Sequence, residues 1–194
     1  MKYFHPHYIN LIINKPIILI YTLLGYIKAR YWNIRIGKKC IFNGLPIFRT
    51  LPNSVVEIGK GCRFNSSPSS NLIGVYSPCV ISTLRRGAKI TIGNNCGFSG
   101  TAIGAALSIT LGKNVKCGAN TLITDTDWHP EDKRAGTNAE VIIGDNVWLG
   151  YGVKILKGVK IGENSLIGAG SIVVSNIPPN VIAAGNPCKI IRLL

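Results

Sequence analysis

The sequence predicts an all-β fold, a parallel β-helix of hexapeptide repeats preceded by a short helical segment. Five hexapeptides, IGDNVW, LGYGVK, ILKGVK, IGENSL and IGAGSI, follow one another without a gap over residues 143–172. An apolar residue at every sixth position does not fit an α-helix, whose apolar positions recur about every 3.6 residues. It fits a chain that forms one short strand and one corner in each repeat. A fixed repeat of this length is typical of a parallel β-helix.

The individual positions of the repeat support the same fold, and the pattern continues upstream as far as residue 36. The fourth position is Gly or Asn with the single exception of Lys39, so we expect a backbone corner with positive φ there. The first position is mostly Ile or Leu and the fifth is small, so both are expected to form a buried column between stacked coils. The fourth-position residues are Gly61, Asn95, Asn114, Asn120, Asn146, Gly152, Gly158, Asn164 and Gly170.

The cysteines fit this column better than they fit a disulfide or metal framework. Cys40, Cys62 and Cys96 occupy the small fifth position of their repeats, and Cys117 occupies a first position. There they behave as small hydrophobic side chains. No C-x-x-C spacing occurs in the sequence. We therefore predict buried, reduced thiols in a cytoplasmic protein.

The N-terminal segment, residues 1–32, has a different character from the repeat. Residues 8–31 are strongly apolar, but the longest uncharged run, residues 16–27, is shorter than the roughly twenty residues that cross a bilayer. No small-residue cleavage site of the A-x-A kind follows it, which argues against a secretory signal. Two compatible alternatives remain open. The segment is a helix that covers the open end of the β-helix, or an interfacial helix that rests on anionic lipid.

The net charge of +14 indicates an anionic partner. The Lys and Arg residues are scattered, and no aromatic stacking platform accompanies them, so we do not predict nucleic-acid binding. A polyanionic cofactor, an anionic glycan carrier or a membrane surface fits the charge as well. The predicted organisation is a helical segment over residues 1–32, a β-helix over residues 33–176 and a C-terminal tail over residues 177–194.

A long loop interrupts the repeat at residues 124–141. Three hexapeptides make eighteen residues, whereas residues 111 and 143, which both begin a repeat, are thirty-two residues apart. The additional stretch is polar and contains His129, with Asp125 and Asp127 just before it. Loops on a rigid scaffold often carry function, and a neutral imidazole can act as a general base. The alternative is an ordinary surface histidine among solvated acids.

Three motifs, the stretch HPEDKRAG, the run NVWLG and the sequence AAGNP near the C-terminus, resemble the hexapeptide-repeat acyltransferases. The resemblance is strongest to the branch that contains maltose and galactoside O-acetyltransferases and the related capsule and lipopolysaccharide acetyltransferases. It covers residues 90–192 well and residues 33–89 only by the repeat pattern. It implies a left-handed β-helix, a homotrimer, and acetyl-CoA bound along the coil between two subunits, with no metal.

The resemblance also implies roles for particular residues. His129 aligns with the catalytic histidine and would deprotonate an acceptor hydroxyl, and Asp125 and Asp127 either orient it or bind the acceptor. The positions implied for coenzyme binding are Trp148, Gly150, Tyr151, Gly168, Ala169, Lys189 and Arg192. Where the galactoside enzymes carry an Asn and an Asp that hold the sugar, this chain has Ser99 and Ala106. Ser99, Thr101 and Trp128 are the remaining candidates for acceptor binding.

These features favour an O-acetyltransferase of bacterial surface-polysaccharide synthesis over a galactoside or maltose enzyme. Its acceptor would be a sugar or a lipid-linked glycan, and the protein would be cytoplasmic or peripheral on the inner face of the membrane, contacting it through residues 8–31. The alternatives are transfer to an antibiotic or a free sugar, and a trimeric scaffold without activity. A zinc-dependent carbonic anhydrase on the same fold needs three converging imidazoles, and only His5 and His7 accompany His129.

Overall fold

The structure is a computed structural model that describes residues 6–194, with side chains from residue 15 onward. This part of the chain begins with helix α1 (Pro6–Tyr31) and has a short 3-10 helix at Pro68–Ser70. All its other regular elements are short strands. The strands are β1 (Arg35–Ile36), β2 (Ile41–Asn43), β3 (Ile47–Arg49), β4 (Val55–Ile58), β5 (Arg63–Asn65), β6 (Val80–Thr83), β7 (Lys89–Ile92), β8 (Gly97–Ser99), β9 (Ala102–Ala105), β10 (Ser108–Leu111), β11 (Lys116–Cys117), β12 (Leu122–Thr124), β13 (Val141–Ile143), β14 (Trp148–Leu149), β15 (Lys154–Ile155), β16 (Lys160–Ile161), β17 (Leu166–Ile167), β18 (Ile172–Val173), β19 (Val181–Gly185) and β20 (Cys188–Leu193).

Successive strands wind around the molecule and build three parallel sheets. Sheet A has the order β1-β4-β7-β10-β13-β16, and sheet C contains β3, β6, β9, β12, β15 and β18. Sheet B has the order β2-β5-β8-β11-β14-β17-β19-β20. Each of the strands β1 to β15 therefore pairs with the strand three further along the chain, as in the pairing of Leu111 with Ile143. This is the connectivity of a parallel β-helix.

The predicted corners are confirmed. All nine Gly and Asn residues at the fourth repeat position have positive φ, between 58° and 79°. Lys39, the one exception in sequence, adopts the same conformation with a φ of 62°. Asparagines at one line of corners also form a ladder between coils, in which Asn146 Nδ2 donates to Asn164 Oδ1 at 2.9 Å. The repeat position, more than the residue type, therefore dictates the corner.

The buried column is confirmed as well. Residues at the first and fifth repeat positions have exposed fractions of a few per cent or less, except for Ile36 at the open end, and the apolar ones form one continuous cluster. All six cysteines are free and buried, and burial raises the pKa of the Cys79 and Cys117 thiols. In the first coils the column is aromatic, because Phe42, Phe64 and Phe98 stack with centroids 4.9 and 5.1 Å apart.

Helix α1 covers the open end of the coil, as the first of the two alternatives predicts. Gly25 lies against the Phe42 ring, where a Cβ would be only 2.6 Å from a ring carbon. The Thr22 hydroxyl accepts a hydrogen bond from the Phe42 amide at 3.2 Å. The Tyr26 hydroxyl accepts one from the Cys40 amide at 2.9 Å and donates to the Gly37 carbonyl at 3.0 Å. The helix thus pairs backbone groups of residues 37–42 that the edge of the first coil would leave open.

The opposite side of α1 is apolar and exposed. Leu19, Leu23 and Ile27 recur at a spacing of four residues and are 57–70% exposed. Among the residues that the structure describes, no helix has both the length and the apolarity needed to cross a bilayer.

Replacing Tyr26 with phenylalanine is expected to lower the free energy of unfolding by about 1–3 kcal/mol, because the Cys40 amide then has no partner. Chemical denaturation at one protein concentration measures this change. Tyr31→Phe is the matched control, since Tyr31 lies in the same helix and is 81% exposed. Equal stability of the two variants would contradict the capping role.

Two further segments complete the fold. Residues 66–79 form a loop between β5 and β6 that sequence analysis missed, and it lies along the corner between sheets B and C. Asn120 fixes it by accepting from the Tyr76 amide at 3.1 Å and donating to the Gly74 carbonyl at 2.7 Å. The segment predicted as a tail instead contains β19, which joins sheet B in parallel, and β20, which pairs with it antiparallel.

Candidate active site

The predicted long loop is present between β12 of sheet C and β13 of sheet A. Asp125 begins it and is fully buried, with its carboxylate accepting from the amides of Ala106 at 2.6 Å and Leu107 at 2.8 Å. Asp127 Oδ2 pairs with Lys157 Nζ at 2.5 Å and accepts from the Gly136 amide at 3.0 Å. The Lys157 ammonium lowers the pKa of the Asp127 carboxyl. Both acids therefore fasten the loop to the coil.

Trp128 lies half exposed on the outer face of sheet C. It has a φ of 68°, and its indole Nε1 donates to the Thr124 hydroxyl at 3.1 Å. The ring rests over Gly104 of β9, where an added Cβ would be 2.9 Å from a ring carbon. The glycine thus makes room for the indole, which packs against the coil.

His129 projects into solvent with its Nδ1 3.1 Å from Glu131 Oε1. The Glu131 pKa is lowered by a hydrogen bond from its own backbone amide and by His129, so the carboxylate is ionised at neutral pH. An ionised carboxylate only accepts, so Nδ1 carries the hydrogen and, in the neutral imidazole, Nε2 has the free lone pair. Within the described residues, Nε2 makes no hydrogen bond. The imidazole is thereby set up to accept a proton.

A cavity of about 390 Å³ opens beside this imidazole. Its walls include Trp128, His129, Asp127 and Asn138 from the loop, and Arg85 from the turn between β6 and β7. The cavity thus lies at the corner between sheets C and A. Its polar lining and the free imidazole nitrogen suit a polar substrate that carries a hydroxyl group.

The structure changes the roles expected for several residues. Neither Asp125 nor Asp127 forms a hydrogen bond or ion pair with His129; the acid that does is Glu131, which sequence analysis missed. Asp127 lines the cavity, so its alternative role in binding the acceptor stays a prediction. Ser99 and Thr101 do not line the cavity. Ser99 is 5% exposed and accepts from the side-chain amides of Asn65 and Asn71, and Thr101 is 1% exposed. Of the three residues expected to bind the acceptor, Trp128 alone borders the cavity.

The predicted coenzyme residues lie on another side of the coil. Trp148 is on β14 of sheet B, with Lys116 Nζ 5.9 Å from its ring centroid, and Tyr151 follows at the corner with sheet C. The Tyr151 hydroxyl is 2.8 Å from the hydroxyl of Tyr76, which lies in the loop at residues 66–79. Lys189 is on β20, beyond the last coil.

Gly150 and Gly168 stack at the same line of corners. A Cβ on Gly150 would be 2.6 Å from the Ala169 amide nitrogen, and one on Gly168 would be 2.7 Å from Ala184 Cβ. Coil stacking therefore already requires glycine at both positions. Ala169 and Arg192 complete the predicted set. None of the seven predicted coenzyme residues lines the cavity beside His129, so one chain does not bring the two groups together.

No group of three or more His, Cys, Asp or Glu side chains in the described part of the chain is arranged to hold a metal ion. The zinc alternative rested on His5 and His7. His5 and the side chain of His7 lie outside the described residues.

Comparison with known proteins shows which proteins the chain is similar to. The family model described as "Bacterial transferase hexapeptide (six repeats)" matches residues 140–175. Galactoside O-acetyltransferase of Escherichia coli (strain K12) is 44% identical over 113 residues, which are 55% of this chain and 55% of the relative. The Lactococcus lactis subsp. lactis enzyme of the same name is 45% identical over 113 residues, 52% and 54% of the two chains. The chain thus spans about half the length of these relatives.

Solved structures agree on the fold. A galactoside acetyltransferase in complex with coenzyme A superposes with a TM-score of 0.51 at 29% identity, covering 82% of this chain and 64% of the other. AntD, an N-acyltransferase from Bacillus cereus in complex with dTDP and 3-hydroxybutyryl-CoA, gives a TM-score of 0.65 at 16% identity and 87% coverage of both chains. At that identity the second likeness concerns the fold alone. The predicted left-handed parallel β-helix is confirmed. Over residues 140–175 the chain carries the hexapeptide repeat that this family model describes, and over about half its length it is similar to galactoside O-acetyltransferases.

Proposed function

We propose that this protein is an acetyl-CoA-dependent O-acetyltransferase that acts on a sugar hydroxyl. The observation that carries the proposal is the exposed His129 imidazole, whose Nδ1 is held by Glu131 and whose Nε2 is free beside a polar cavity. The galactoside O-acetyltransferases that are 44% and 45% identical to the chain over 113 residues support the class of reaction.

In the proposed reaction, His129 Nε2 takes the proton from an acceptor hydroxyl. The oxygen then attacks the thioester carbonyl carbon of acetyl-CoA, the carbon–sulfur bond breaks, and the coenzyme leaves as the thiolate. The imidazolium returns its proton to the sulfur. Glu131 is a positioning residue that fixes the tautomer and stabilises the imidazolium. Asp125 and Asp127 contribute by holding the loop.

We infer that the complete site forms between two copies of the chain in a homotrimer. The coenzyme residues expected on sheet B and its corner are remote from the cavity at the corner between sheets C and A. Trp148 is 52% exposed and available to a neighbouring subunit. Gly150, Tyr151, Gly168 and Ala169 would contact the pantetheine arm, and the cations of Lys189 and Arg192 would pair with the coenzyme phosphates. Light scattering of the purified protein measures its molar mass, which tests whether it is a trimer.

The acceptor that we propose is a glycan of bacterial surface-polysaccharide synthesis, free or lipid-linked. Transfer from isotope-labelled acetyl-CoA, followed by mass spectrometry, tests this against simple sugars, nucleotide sugars, lipid-linked repeat units and two antibiotics. Label on a glycan would support the proposal. Label on an antibiotic alone would show that the acceptor is a small molecule and not a glycan. Absence of both transfer and saturable coenzyme binding would leave a trimeric scaffold.

We also propose that α1 rests on an anionic membrane surface. Its outward apolar face includes Leu19 and Leu23, and the exposed cation of Arg30 follows in the last turn. Apolar burial and attraction to anionic lipid act together in such helices. Leu23→Asp is expected to reduce sedimentation with vesicles that contain phosphatidylserine. Leu72→Asp, at a 95% exposed leucine of another loop, is the control. Equal binding to neutral vesicles, or self-association through this face, would contradict the proposal.

A further inference from the structure

The cavity beside His129 has one cation without a partner. Arg85 is exposed in the turn between β6 and β7, and its guanidinium makes no hydrogen bond or ion pair within the described residues. The acids nearby are already engaged, since Asp127 pairs with Lys157. Glu131 contacts His129 at 3.1 Å. The charge that the cavity offers to a ligand is therefore positive.

The adjoining surface, which is more apolar, carries a second arginine. A second cavity, of about 430 Å³, lies on the outer face of sheet C and shares Trp128 with the first as a common wall. Arg49 and Ser82 line it, and Arg49 is exposed and without an ion pair in the described part of the chain. A half-exposed indole thus lies between two cavities that each contain an unpaired guanidinium. The two cavities adjoin at this ring, so one extended ligand can reach both.

We propose that the acceptor is an anionic oligosaccharide that occupies both cavities. Its carboxylate or phosphate group binds the Arg85 guanidinium while a hydroxyl of the same unit lies at His129 Nε2. The adjacent unit lies over the Trp128 ring, and its acidic group reaches Arg49. Arginine suits this role because its planar fork forms two parallel hydrogen bonds to a carboxylate or phosphate. The inference rests on the proposed transfer function and adds the charge and minimum length of its acceptor.

The test compares the wild type with Arg85→Gln and Arg49→Gln, using Arg86→Gln as the matched control. Arg86 is the exposed neighbour of Arg85 in the same turn and does not line the cavity. The acceptors are a galacturonic acid tetrasaccharide, a phosphate-substituted tetrasaccharide, neutral maltotetraose and the galacturonic acid monosaccharide. The first two separate carboxylate from phosphate recognition. Both kcat/KM for acetyl transfer and equilibrium binding by calorimetry are measured, at low and high salt.

We expect Arg85→Gln to lower kcat/KM for the preferred anionic acceptor by about tenfold or more, through loss of a charge-assisted hydrogen-bond pair. Arg49→Gln should have a smaller effect that disappears with a monosaccharide, and Arg86→Gln should change kcat/KM by less than about twofold. High salt should weaken binding of the anionic acceptors but not of maltotetraose.

Several outcomes would overturn the inference. One is equal use of maltotetraose and the anionic acceptors by the wild type. Another is an equal effect of Arg85→Gln and Arg86→Gln. Transfer to no acceptor at all would remove the proposed function. Calorimetry would then test by itself whether the anionic oligosaccharide binds at Arg85. Wild-type binding that Arg85→Gln weakens would support it, and unchanged binding would refute it.

Discussion

His129→Ala is expected to lower kcat for acetyl transfer by about 10²–10⁴-fold, the range typical of a lost general base. The imidazole is the one group beside the cavity that combines a free ring nitrogen with a hydrogen-bonded partner on the other side. Without it, the acceptor hydroxyl must attack the thioester as a weak neutral nucleophile. Initial rates with saturating acetyl-CoA and the acceptor identified by mass spectrometry measure the change.

The same variant should leave stability and coenzyme affinity unchanged. The His129 side chain is 74% exposed and its hydrogen-bond partner is an exposed residue of the same loop, so its removal leaves no buried group unpaired. A thermal melt and a coenzyme titration are the controls. Retention of more than half of the wild-type rate, with normal folding, would exclude His129 as the base.

Glu131→Gln separates positioning from catalysis. The amide keeps the shape of the side chain but removes the charge that stabilises the imidazolium. We expect a smaller loss than for His129→Ala, confined to kcat, with KM for acetyl-CoA unchanged. A variant that raised KM and lowered thermal stability equally would instead indicate a structural role for Glu131 in the loop.

Much of the β-helix could be predicted from sequence because its determinants are local and repeated. Each coil contacts mainly its neighbours, so every hexapeptide reports the same corner and the same inward positions. Lys39 shows how strongly the repeat acts, since a lysine adopts a φ of 62° at the corner position. The long loop could be predicted from the spacing between repeats, because residues in excess of the fixed period must leave the coil.

The site residues were harder to predict because their orientation depends on contacts between coils. Asp125 and Asp127 are nearest to His129 in the preceding sequence and look like its partners. Their carboxylates turn instead to the Ala106 and Leu107 amides and to Lys157. This leaves Glu131, two residues after the histidine, as its partner. No pattern in the sequence indicates which partner each of these acids contacts.

The loop at residues 66–79 escaped prediction for a related reason. Its anchors are Asn120, which also occupies an ordinary corner position, and Tyr151, which lies 75 residues beyond Tyr76 in sequence. Asn120 is a normal residue for a corner position, so the sequence does not indicate that it also binds the loop at residues 66–79. Ser99 is likewise a reasonable acceptor ligand by sequence. In the structure, however, its hydroxyl is buried and accepts from the side-chain amides of Asn65 and Asn71.

Asp125→Ala should lower the free energy of unfolding by about 3 kcal/mol, the second large effect that the structure predicts. The Asp125 side chain is fully buried and accepts from two backbone amides, at 2.6 and 2.8 Å. Alanine leaves both amides without a partner and opens a small void. Asp132→Ala is the control from the same loop, because Asp132 pairs with Arg134, whose side chain is 91% exposed. The control should change stability by less than about 1 kcal/mol.

Denaturant unfolding at one protein concentration, combined with hydrogen exchange of residues 125–140, distinguishes anchoring from chemistry. If Asp125 holds the loop, Asp125→Ala loses stability, its loop amides exchange faster, and the transfer rate falls because His129 no longer stays beside the cavity. Conditions that restore the fold, such as saturating coenzyme, should then recover part of the activity. A full loss of kcat with unchanged unfolding and unchanged exchange would instead make Asp125 a catalytic acid, and the anchoring role argued from its two buried amides would be wrong.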